Sequence, residues 1–391
     1  MAAILGLRGT GDFTSDERPK NWREKLLYLF PNGEAPLTAI LSMLKSESVN
    51  DPEYNWFNKR MPTQRMRLNG QHLAAVTTLT VDSGAKDSVT GTIILHETSG
   101  ELLKVVSDPT IDTELEVLRS YGSVAAGTLA DDDYLTIIGN VHAEGDDSPS
   151  GRSYAPTKYF NYTEIFRTAL EMTRTAKKTR LRWDTSGAYR EAKREALMLH
   201  SIEMEKAFIW GEAVEGTGAN GKPERMTGGI LSFLSTNING DFAVAGALDE
   251  PTWETLLEQI FRFGSTEKLA LCGSTFLGAI NTIAKRNGTL NLVPQDKTYG
   301  LKIVEYLSPF GTIMLKSHPL FNQHPVWRKN ALILDVKNLV YRYIDDTMFI
   351  KNRQGNGQDL SKDEFLTECG LEVEFEETHA YVTGVTEGLG S

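Results

Sequence analysis

One stretch constrains this chain more than any other. Residues 187–210 form its longest run of helix formers, closed by Gly211, with Asp184, Thr185 and Ser186 available ahead of it as N-caps. At 1.5 Å per residue it would extend about 35 Å. Its apolar face is small, with Ala188, Ala192, Ala196 and Leu199 at helical spacing among charges. Such a face predicts a lone helix lying across a sheet.

What precedes the helix is organised differently. Residues 1–19 are rich in Gly, Thr and Asp without a period and read as a flexible arm. Trp22, Leu26, Leu29 and Phe30, then Leu37, Ile40, Leu41 and Leu44, mark two short amphipathic helices that must dock on something distant or on another chain. From 66 to 140 the chain turns β-rich, with short runs at 76–81, 92–96, 102–106, 115–118 and 134–138 punctuated by Gly. This spacing predicts a small sandwich or barrel. The polar stretch 143–156 separates strand-like 134–141 from strand-like 159–172, which predicts a long hairpin with a wide tip.

After the helix, the Gly-rich run 211–229 gives way to an α/β pattern. Trp253, Leu256, Leu257, Ile260 and Phe261 mark a helix starting near Asp249 and ending at Gly264. A buried strand follows at 269–272, then a helix capped by Ser274. Runs 301–307 and 312–315 flank a turn and predict a hairpin, with further strands at 331–335, 339–343 and 347–351. Leu371, Val373 and Phe375 alternate with Glu372, Glu374 and Glu376, as in a half-exposed strand with an acidic outer face.

The chain is large enough for this. Its 391 residues suggest two or three domains at roughly 100–200 residues each. Hydrophobic residues at 40% and charged residues at 24% exclude a disordered, collagen-like or disulfide-framework protein. The net charge of −11 argues against a dedicated nucleic-acid binder. Cys272 and Cys369 form no CxxC and are expected to be reduced and buried. No run approaches the roughly 20 apolar residues of a membrane span, and the N-terminal apolar run is too short for a signal peptide, so no membrane partner is expected.

Motifs for chemistry are weak. Gly216 to Lys222 reads GTGANGK, but Pro223 stands where a P-loop needs Ser or Thr, and the motif follows a helix instead of a strand. His318 and His324 lack zinc spacing and read as loop residues. His200, near Glu203 and Glu205, reads as part of a helix-surface pair. Asp131–Asp133 and Asp146-Asp147 lack the alternation of a calcium loop. No catalytic, cofactor-binding or metal-ligating set is assigned, and no cofactor is expected.

Charge distribution says more. Residues 158–194 hold ten Lys/Arg against four Asp/Glu, and 359–387 one Lys against nine Asp/Glu. These blocks can neutralise each other within the fold or meet across copies of the chain.

The order of elements resembles the major capsid proteins of tailed bacteriophages, whose shell fold is shared with encapsulin compartments. HAEGDDSP, from His142 to Pro149, is similar to the tip of that family's extended loop. FNYTEIFRTALEMTRTAK, from Phe160 to Lys177, resembles the strand returning from it. Residues 187–211, with EKAFIWG leading on to Gly228-Gly229-Ile230, resemble the spine helix and its exit loop. YLSPFG from Tyr306 and LILD from Leu332 resemble strands of the axial domain, and 370–384 the last peripheral strand. Residues 66–131 depart from the simplest members as an extra β-rich segment.

The resemblance implies an α+β fold. It divides into an N-terminal arm (1–65), a β-rich segment (66–131), an extended loop hairpin (132–172), a peripheral domain (173–248 and 365–391, with the spine helix) and an axial domain (249–364). It implies a structural, non-enzymatic subunit assembling into pentamers and hexamers around a phage genome in the virion capsid, built in the host cytoplasm. Expected partners are the chain itself, a separate scaffolding protein, a portal, possibly a decoration protein, and packaged DNA without sequence-specific binding. Expected assembly residues are Glu144, Gly145, Asp146, Asp147 and Arg152 at the loop tip, and Arg174, Lys177, Lys178, Arg180 and Arg182 on the basic face. An encapsulin-like shell and a hydrolase on the C-terminal half are the alternatives.

Overall fold

The structure, a computed structural model, describes residues 45–145, 147–179, 187–240, 248–286, 292–298 and 301–386. The arm over 1–19 and the helices expected over 22–30 and 37–44 lie outside these residues, as do the proposed N-caps 184–186. The chain forms two units: Phe57–Tyr159, and the chain on either side of it. After β1 (Ser46–Ser48), it enters the first unit within β2 (Glu53–Asn58).

Six strands build that unit: β3 (Arg65–Arg67), β4 (Thr78–Thr80), β5 (Thr92–His96), β6 (Leu102–Val105), β7 (Glu114–Leu118) and β8 (Tyr134–Asn140). They pair in the order β3-β8-β5-β6-β7-β4. A Leu68–Val81 bridge then joins the two ends, so the sheet closes into a barrel. Closure matters because an open edge would leave unpaired N–H and C=O groups. Alternation fills the inside: Leu115 and Val117 point in while Glu114, Glu116 and Leu118 point out. Met66, Leu68, Leu79, Ile94, Leu103 and Leu135 complete the core with them. At Gly91, φ is +86° and a Cβ would lie 2.6 Å from the Val141 carbonyl, so only glycine fits the turn.

The expected hairpin between 134–141 and 159–172 does not form. β8 pairs with β3 and β5 on its two sides. Its Leu135 is buried in the barrel, which fixes which face points inward. The chain leaves the barrel through β9 (Thr157–Tyr162), which pairs with β2. The ribbon at this place is therefore β2–β9, and the β-rich segment is inserted between its strands together with 132–156.

The second unit begins with β10 (Glu164–Thr173), the short helix α1 (Arg174–Lys178) and the long helix α2 (Ala188–Trp210). There follow β11 (Val214–Thr217), β12 (Pro223–Met226), α3 (Ile230–Phe233), β13 (Ile238–Asn239), α4 (Glu250–Phe261), β14 (Glu267–Cys272) and α5 (Ser274–Arg286). The chain ends with β15 (Leu292–Thr298), β16 (Leu301–Leu307), β17 (Thr312–Ser317), α6 (Pro319–Gln323), β18 (Ala331–Leu334), β19 (Leu339–Ile350), β20 (Leu360–Val373) and β21 (Ala380–Val382). Two sheets result, β1-β19-β20-β10 and β13-β21-β18-β14-β17-β16-β15. The expected α+β class is what the chain adopts.

The seven-stranded sheet divides two cores by strand alternation. Leu269, Leu271, Leu332 and Leu334 face a core shared with Phe208, Tyr341 and Leu371. Their neighbours Ala270, Cys272, Ala331 and Ile333 face the other core, under Trp253 and Ile260 of α4 and Phe276 and Ile280 of α5. Strands covered on both faces lose the polar alternation, which is why 269–272 reads as a continuous apolar run. Asp249 caps α4 by accepting from the Thr252 N–H at 3.1 Å. The predicted hairpin at Ser308–Gly311 is present as β16–β17, closed by Ser308 N–H to Gly311 O at 2.9 Å.

Three expectations change here. The strands predicted at 339–343 and 347–351 are one strand, β19, bent by register shifts between Tyr343 and Met348. β19 pairs along β20, so the division expected between 249–364 and 365–391 cuts through one sheet. The acidic face expected near the C-terminus is largely inside. Glu372 is buried against Arg342, Nε to Oε2 2.5 Å, and Glu376 accepts the Ser235 and Thr236 N–H groups at 2.9 and 3.1 Å.

Candidate assembly surfaces

The long helix lies on the four-stranded sheet, but its packed face differs from the expected one. Ala196 is buried and Ala188 and Ala192 are half-buried, whereas Leu199 is 55% exposed. The stripe continues from Ala196 through His200, Met204, Ala207 and Phe208. Four-residue steps from 196 lead to 200 and 204, and Leu199 sits about 100° away from His200. His200 is therefore not on the helix surface. Its Nδ1 lies 3.0 Å from Thr168 Oγ1 on β10, and its Nε2 lies 2.7 Å from Thr367 Oγ1 on β20. Burial pushes its pKa down.

Further along, Glu205 and His318 are both fully buried and meet at 2.7 Å. This pair joins the helix to the turn before α6, a core role for a histidine that reads as a loop residue in sequence. Lys268 is a second hidden polar post. Its Nζ donates to the carbonyls of Ile260, Phe263 and Thr378 at 2.6, 2.9 and 2.6 Å, and burial lowers its pKa to about 8. Lys268 directly precedes the apolar run 269–272, and nothing local in the sequence marks its role.

The basic and acidic blocks meet within the chain. β10 and β20 run antiparallel, which sets Glu171 opposite Lys362 and Thr168 opposite Phe365. Arg167 and Arg353 both reach Glu364, at 2.8 and 2.9 Å, and Arg167 first among the causes holds that carboxyl below its usual range. Arg174 pairs with Asp359 at 2.9 Å, and Tyr189 donates to Asp363. Lys177 donates to Ser361 Oγ at 3.2 Å and lies 4.4 Å from the Tyr189 ring centre. Two of the five expected basic-face residues, Arg174 and Lys177, are thus engaged intramolecularly. Lys178 is exposed, and Arg180 and Arg182 lie outside the described residues. Exposed pairs of this kind are worth about 0–1 kcal/mol each, so they align the strands more than they stabilise them.

The loop expected to project is fastened to its own barrel. Glu144, Gly145, Asp147 and Arg152 are exposed, and Asp146 lies outside the described residues. Ser150 donates to Asp108 at 2.5 Å, and the Thr90 N–H reaches the same carboxylate at 2.8 Å. These donors hold the Asp108 pKa at about 2. Arg152 donates to the Asp87 carbonyl.

The remaining motifs resolve into ordinary structure. GTGANGK bridges β11 and β12 as a hairpin turn, with Gly218 N–H to Lys222 O at 2.8 Å. Asp131 accepts from the Gly70 N–H, Asp132 pairs with Arg67, and Asp133 holds His96 at 3.0 Å, Thr98 and the Ala130 N–H. Both cysteines are free and buried; burial raises the Cys369 thiol to about 12. Among the described residues no cluster of three His, Cys, Asp or Glu could hold a metal, and no helix is long and apolar enough to cross a membrane.

The surface instead offers apolar ground. An open groove of about 920 Å³ runs beside the long helix, lined by Ile165, Lys206, Trp210, Met226 and Trp327 among others. Trp210 and Trp327 stack at 4.1 Å, and His324 stacks on Trp327 at 4.4 Å.

A family model described as SU10 major capsid protein matches residues 9–386. The major capsid protein of Pseudomonas phage PaMx41 is 26% identical over 377 residues, covering 92% of this chain and 88% of that protein. Among solved structures, the capsid asymmetric unit of cyanophage A-1(L) aligns over 95% of this chain and 98% of its own, at 11% identity and a TM-score of 0.49. The SrpI encapsulin of Synechococcus elongatus PCC 7942 aligns over 61% of this chain and 78% of its own, at 13% identity and a TM-score of 0.43.

Proposed function

The chain belongs to the SU10 major capsid protein family, and from that premise we propose that its copies close into pentamers and hexamers of an icosahedral phage shell. It is a structural shell protein of the virion capsid. The match over 9–386 carries this reading, since it spans both units and not one shared module. Head-to-tail contacts that close make rings, and a subunit with several distinct surfaces can tile them into a shell. The role is architectural and non-catalytic.

In this reading the long helix and the four-stranded sheet form the peripheral part, and the seven-stranded sheet with α4 and α5 the axial part. The barrel is carried on the β2–β9 ribbon in the position of the extended loop. The loop residues Glu144, Gly145, Asp147 and Arg152 act with the barrel surface, not as a free tip. Lys178 is the exposed part of the expected basic face among the described residues, and with Arg180 and Arg182 it is assigned here to contacts with other copies. A separate scaffolding protein, a portal, possibly a decoration protein and packaged DNA complete the partners, with assembly in the host cytoplasm. An inner wall on a chain of net charge −11 holds DNA weakly enough to release it.

The test is negative-stain microscopy with sedimentation of the purified chain, alone and with its scaffolding protein. Rings, tubes or closed shells are expected. A compact monomer or dimer under both conditions rejects the shell reading and favours an enzyme.

A further inference from the structure

We propose that Asn356-Gly357, at the tip of the β19–β20 hairpin, is a site of spontaneous modification, where the chain rearranges its own backbone through a cyclic imide and gains one negative charge. This inference does not depend on the shell reading. Asparagine amides are thermally labile, and a following glycine leaves the next backbone nitrogen unshielded. Six such pairs occur in the sequence, beginning at Asn32, Asn69, Asn220, Asn239, Asn287 and Asn356. The first and fifth lie outside the described residues. The other four have the same local sequence signal, so the fold must discriminate among them. The reaction needs a glycine N–H free to lose its proton and an asparagine side chain free to reach that nitrogen. A hydrogen bond given by the N–H holds its proton in place. At Asn69, the Gly70 N–H donates to Asp131 Oδ1 at 2.7 Å, and the Asn69 N–H donates to the Thr80 carbonyl at 3.0 Å. At Asn220, the Gly221 N–H donates to the Gly218 carbonyl at 2.9 Å, and Asn220 Oδ1 accepts the Lys222 N–H at 3.0 Å. Asn239 lies in β13, where its carbonyl accepts the Thr383 N–H at 2.9 Å and its Nδ2 is buried.

Asn356 and Gly357 are both exposed. The turn closes around them, with Gln358 N–H to the Gly355 carbonyl at 3.4 Å and Gly355 N–H to Gln358 Oε1 at 3.2 Å. Neither the Gly357 N–H nor the Asn356 amide has a partner among the described residues. Gly357 has φ +86°, so the turn itself calls for glycine at the attacking position. In the reaction a base takes the Gly357 amide proton, and the nitrogen attacks Asn356 Cγ. The new C–N bond closes a five-membered imide as the Cγ–Nδ2 bond breaks, and ammonia leaves with the proton returned to it. Water then opens the ring. Addition at Cγ gives an aspartyl residue, and addition at the main-chain carbonyl gives an isoaspartyl residue, with the chain rerouted through the side chain. No oxidant or reductant is involved. Either product adds a carboxylate to a chain whose net charge is −11. The strands behind the turn stay paired, since the Arg353 N–H reaches the Lys362 carbonyl at 2.7 Å and the Asn352 N–H reaches Asp363 Oδ1 at 2.9 Å. The change is therefore confined to the exposed tip, where mobile backbone tolerates it.

Timed incubation of the full chain in mildly alkaline buffer, followed by peptide mapping with tandem mass spectrometry, tests this. In the folded chain, conversion at Asn356 should run at least tenfold faster than at Asn69, Asn220 or Asn239. It should speed up as pH rises, and both aspartyl and isoaspartyl products should form, the second labelled by an isoaspartate-specific methyltransferase. In urea, where the fold no longer discriminates, the four sites should convert at rates within a few-fold of one another. Asn356→Gln lengthens the side chain and disfavours ring closure, so conversion at this position should fall at least tenfold while circular dichroism stays unchanged. Comparable conversion at all four sites in the folded chain overturns the proposal, and so does an Asn356 that outlasts the others. A tenfold lead for Asn356 that persists in urea assigns the selectivity to neighbouring sequence and overturns the role of the turn. An aspartyl product without isoaspartyl, or a Gln variant that converts as fast as the parent, means direct hydrolysis by water and overturns the imide route. The comparison among the four parent sites needs no variant, so a misfolded Asn356→Gln chain leaves it intact.

Discussion

In the barrel every core side chain comes from one continuous run, Phe57–Tyr159, whereas the core of the larger unit joins residues as distant in sequence as Phe166 and Leu371. Their polar interiors differ as well. Among its described residues the barrel buries the ion pair Arg119 Nε to Glu101 Oε1 at 2.8 Å, and Arg119 also donates to the Leu73, Val76 and Gly127 carbonyls. It sews two loops to one strand end. The larger unit uses buried polar groups as bridges between elements: His200 between helix and sheet, Glu205–His318 between helix and turn, and Lys268 between α4 and the turn before β21. A contiguous chain needs little help to find its partners. A discontinuous one gains specificity from polar contacts that are satisfied in only one arrangement.

The comparison breaks most visibly if the barrel cannot stand alone. Excised Phe57–Tyr159 is expected to melt cooperatively, and Arg119→Met should cost it about 3–5 kcal/mol by leaving Glu101 buried and unpaired. Loss of the barrel transition in calorimetry, with the other transition unmoved in the full chain, is the expected result. An unaffected barrel would mean the pair is dispensable.

Acid should separate the two units next. Burial, first among its causes, lowers the His379 pKa to about 4 from 6.5, so the folded state favours the neutral ring. Its contribution is complete above pH 6.5 and is lost as pH falls toward about 4, on the order of 3 kcal/mol. The ring accepts the Asp335 N–H through Nδ1, which a second ring proton would oppose. In the barrel, Arg65 and Thr136 hold Glu97 at about 2, and Ser150 and Thr90 hold Asp108 at about 2. Those contributions are present above about pH 4 and are lost only between there and pH 2. Melting against pH should therefore show the larger unit weakening first, and His379→Phe should flatten its slope. Simultaneous weakening would refute the separation.

Packing of the long helix gives a smaller effect. Ala196→Leu should overpack the sheet contact by about 1–3 kcal/mol, while Leu199→Ala should stay within about 0.5 kcal/mol. Equal costs in urea titrations would return Leu199 to the packed face. The smallest effect belongs to the loop on the barrel. Asp108→Ala should lower barrel melting only slightly at neutral pH, erase the Asp108 share of the acid dependence, and increase protease cleavage within 147–152, because it removes the anchor for Ser150 and the Thr90 N–H.

Periodicity and punctuation determined the elements. The helix at 188–210, the hairpin at Ser308–Gly311, the Asp249 cap, the strand run of the barrel and the buried cysteines were all legible, because each depends on residues a few positions apart. So was the family resemblance, which rests on the order of those elements. Partner choice was not legible. Whether 134–140 would pair with 157–162 or with 65–67 and 92–96 depends on which arrangement buries Leu135, and that is settled among strands distant in sequence. The same holds for Glu372 and Glu376, which have the alternation of an exposed edge until Arg342 and the backbone at 235–236 arrive to cover them. His200, Glu205, His318 and Lys268 carry no local mark of their roles, since a buried polar group is defined by partners brought from elsewhere. The sequence by itself set the local geometry and the two opposite charge blocks. Tertiary structure decided that those blocks meet along β10 and β20, because only the closed sheet could show which charges are neutralised within one copy and which remain for the next.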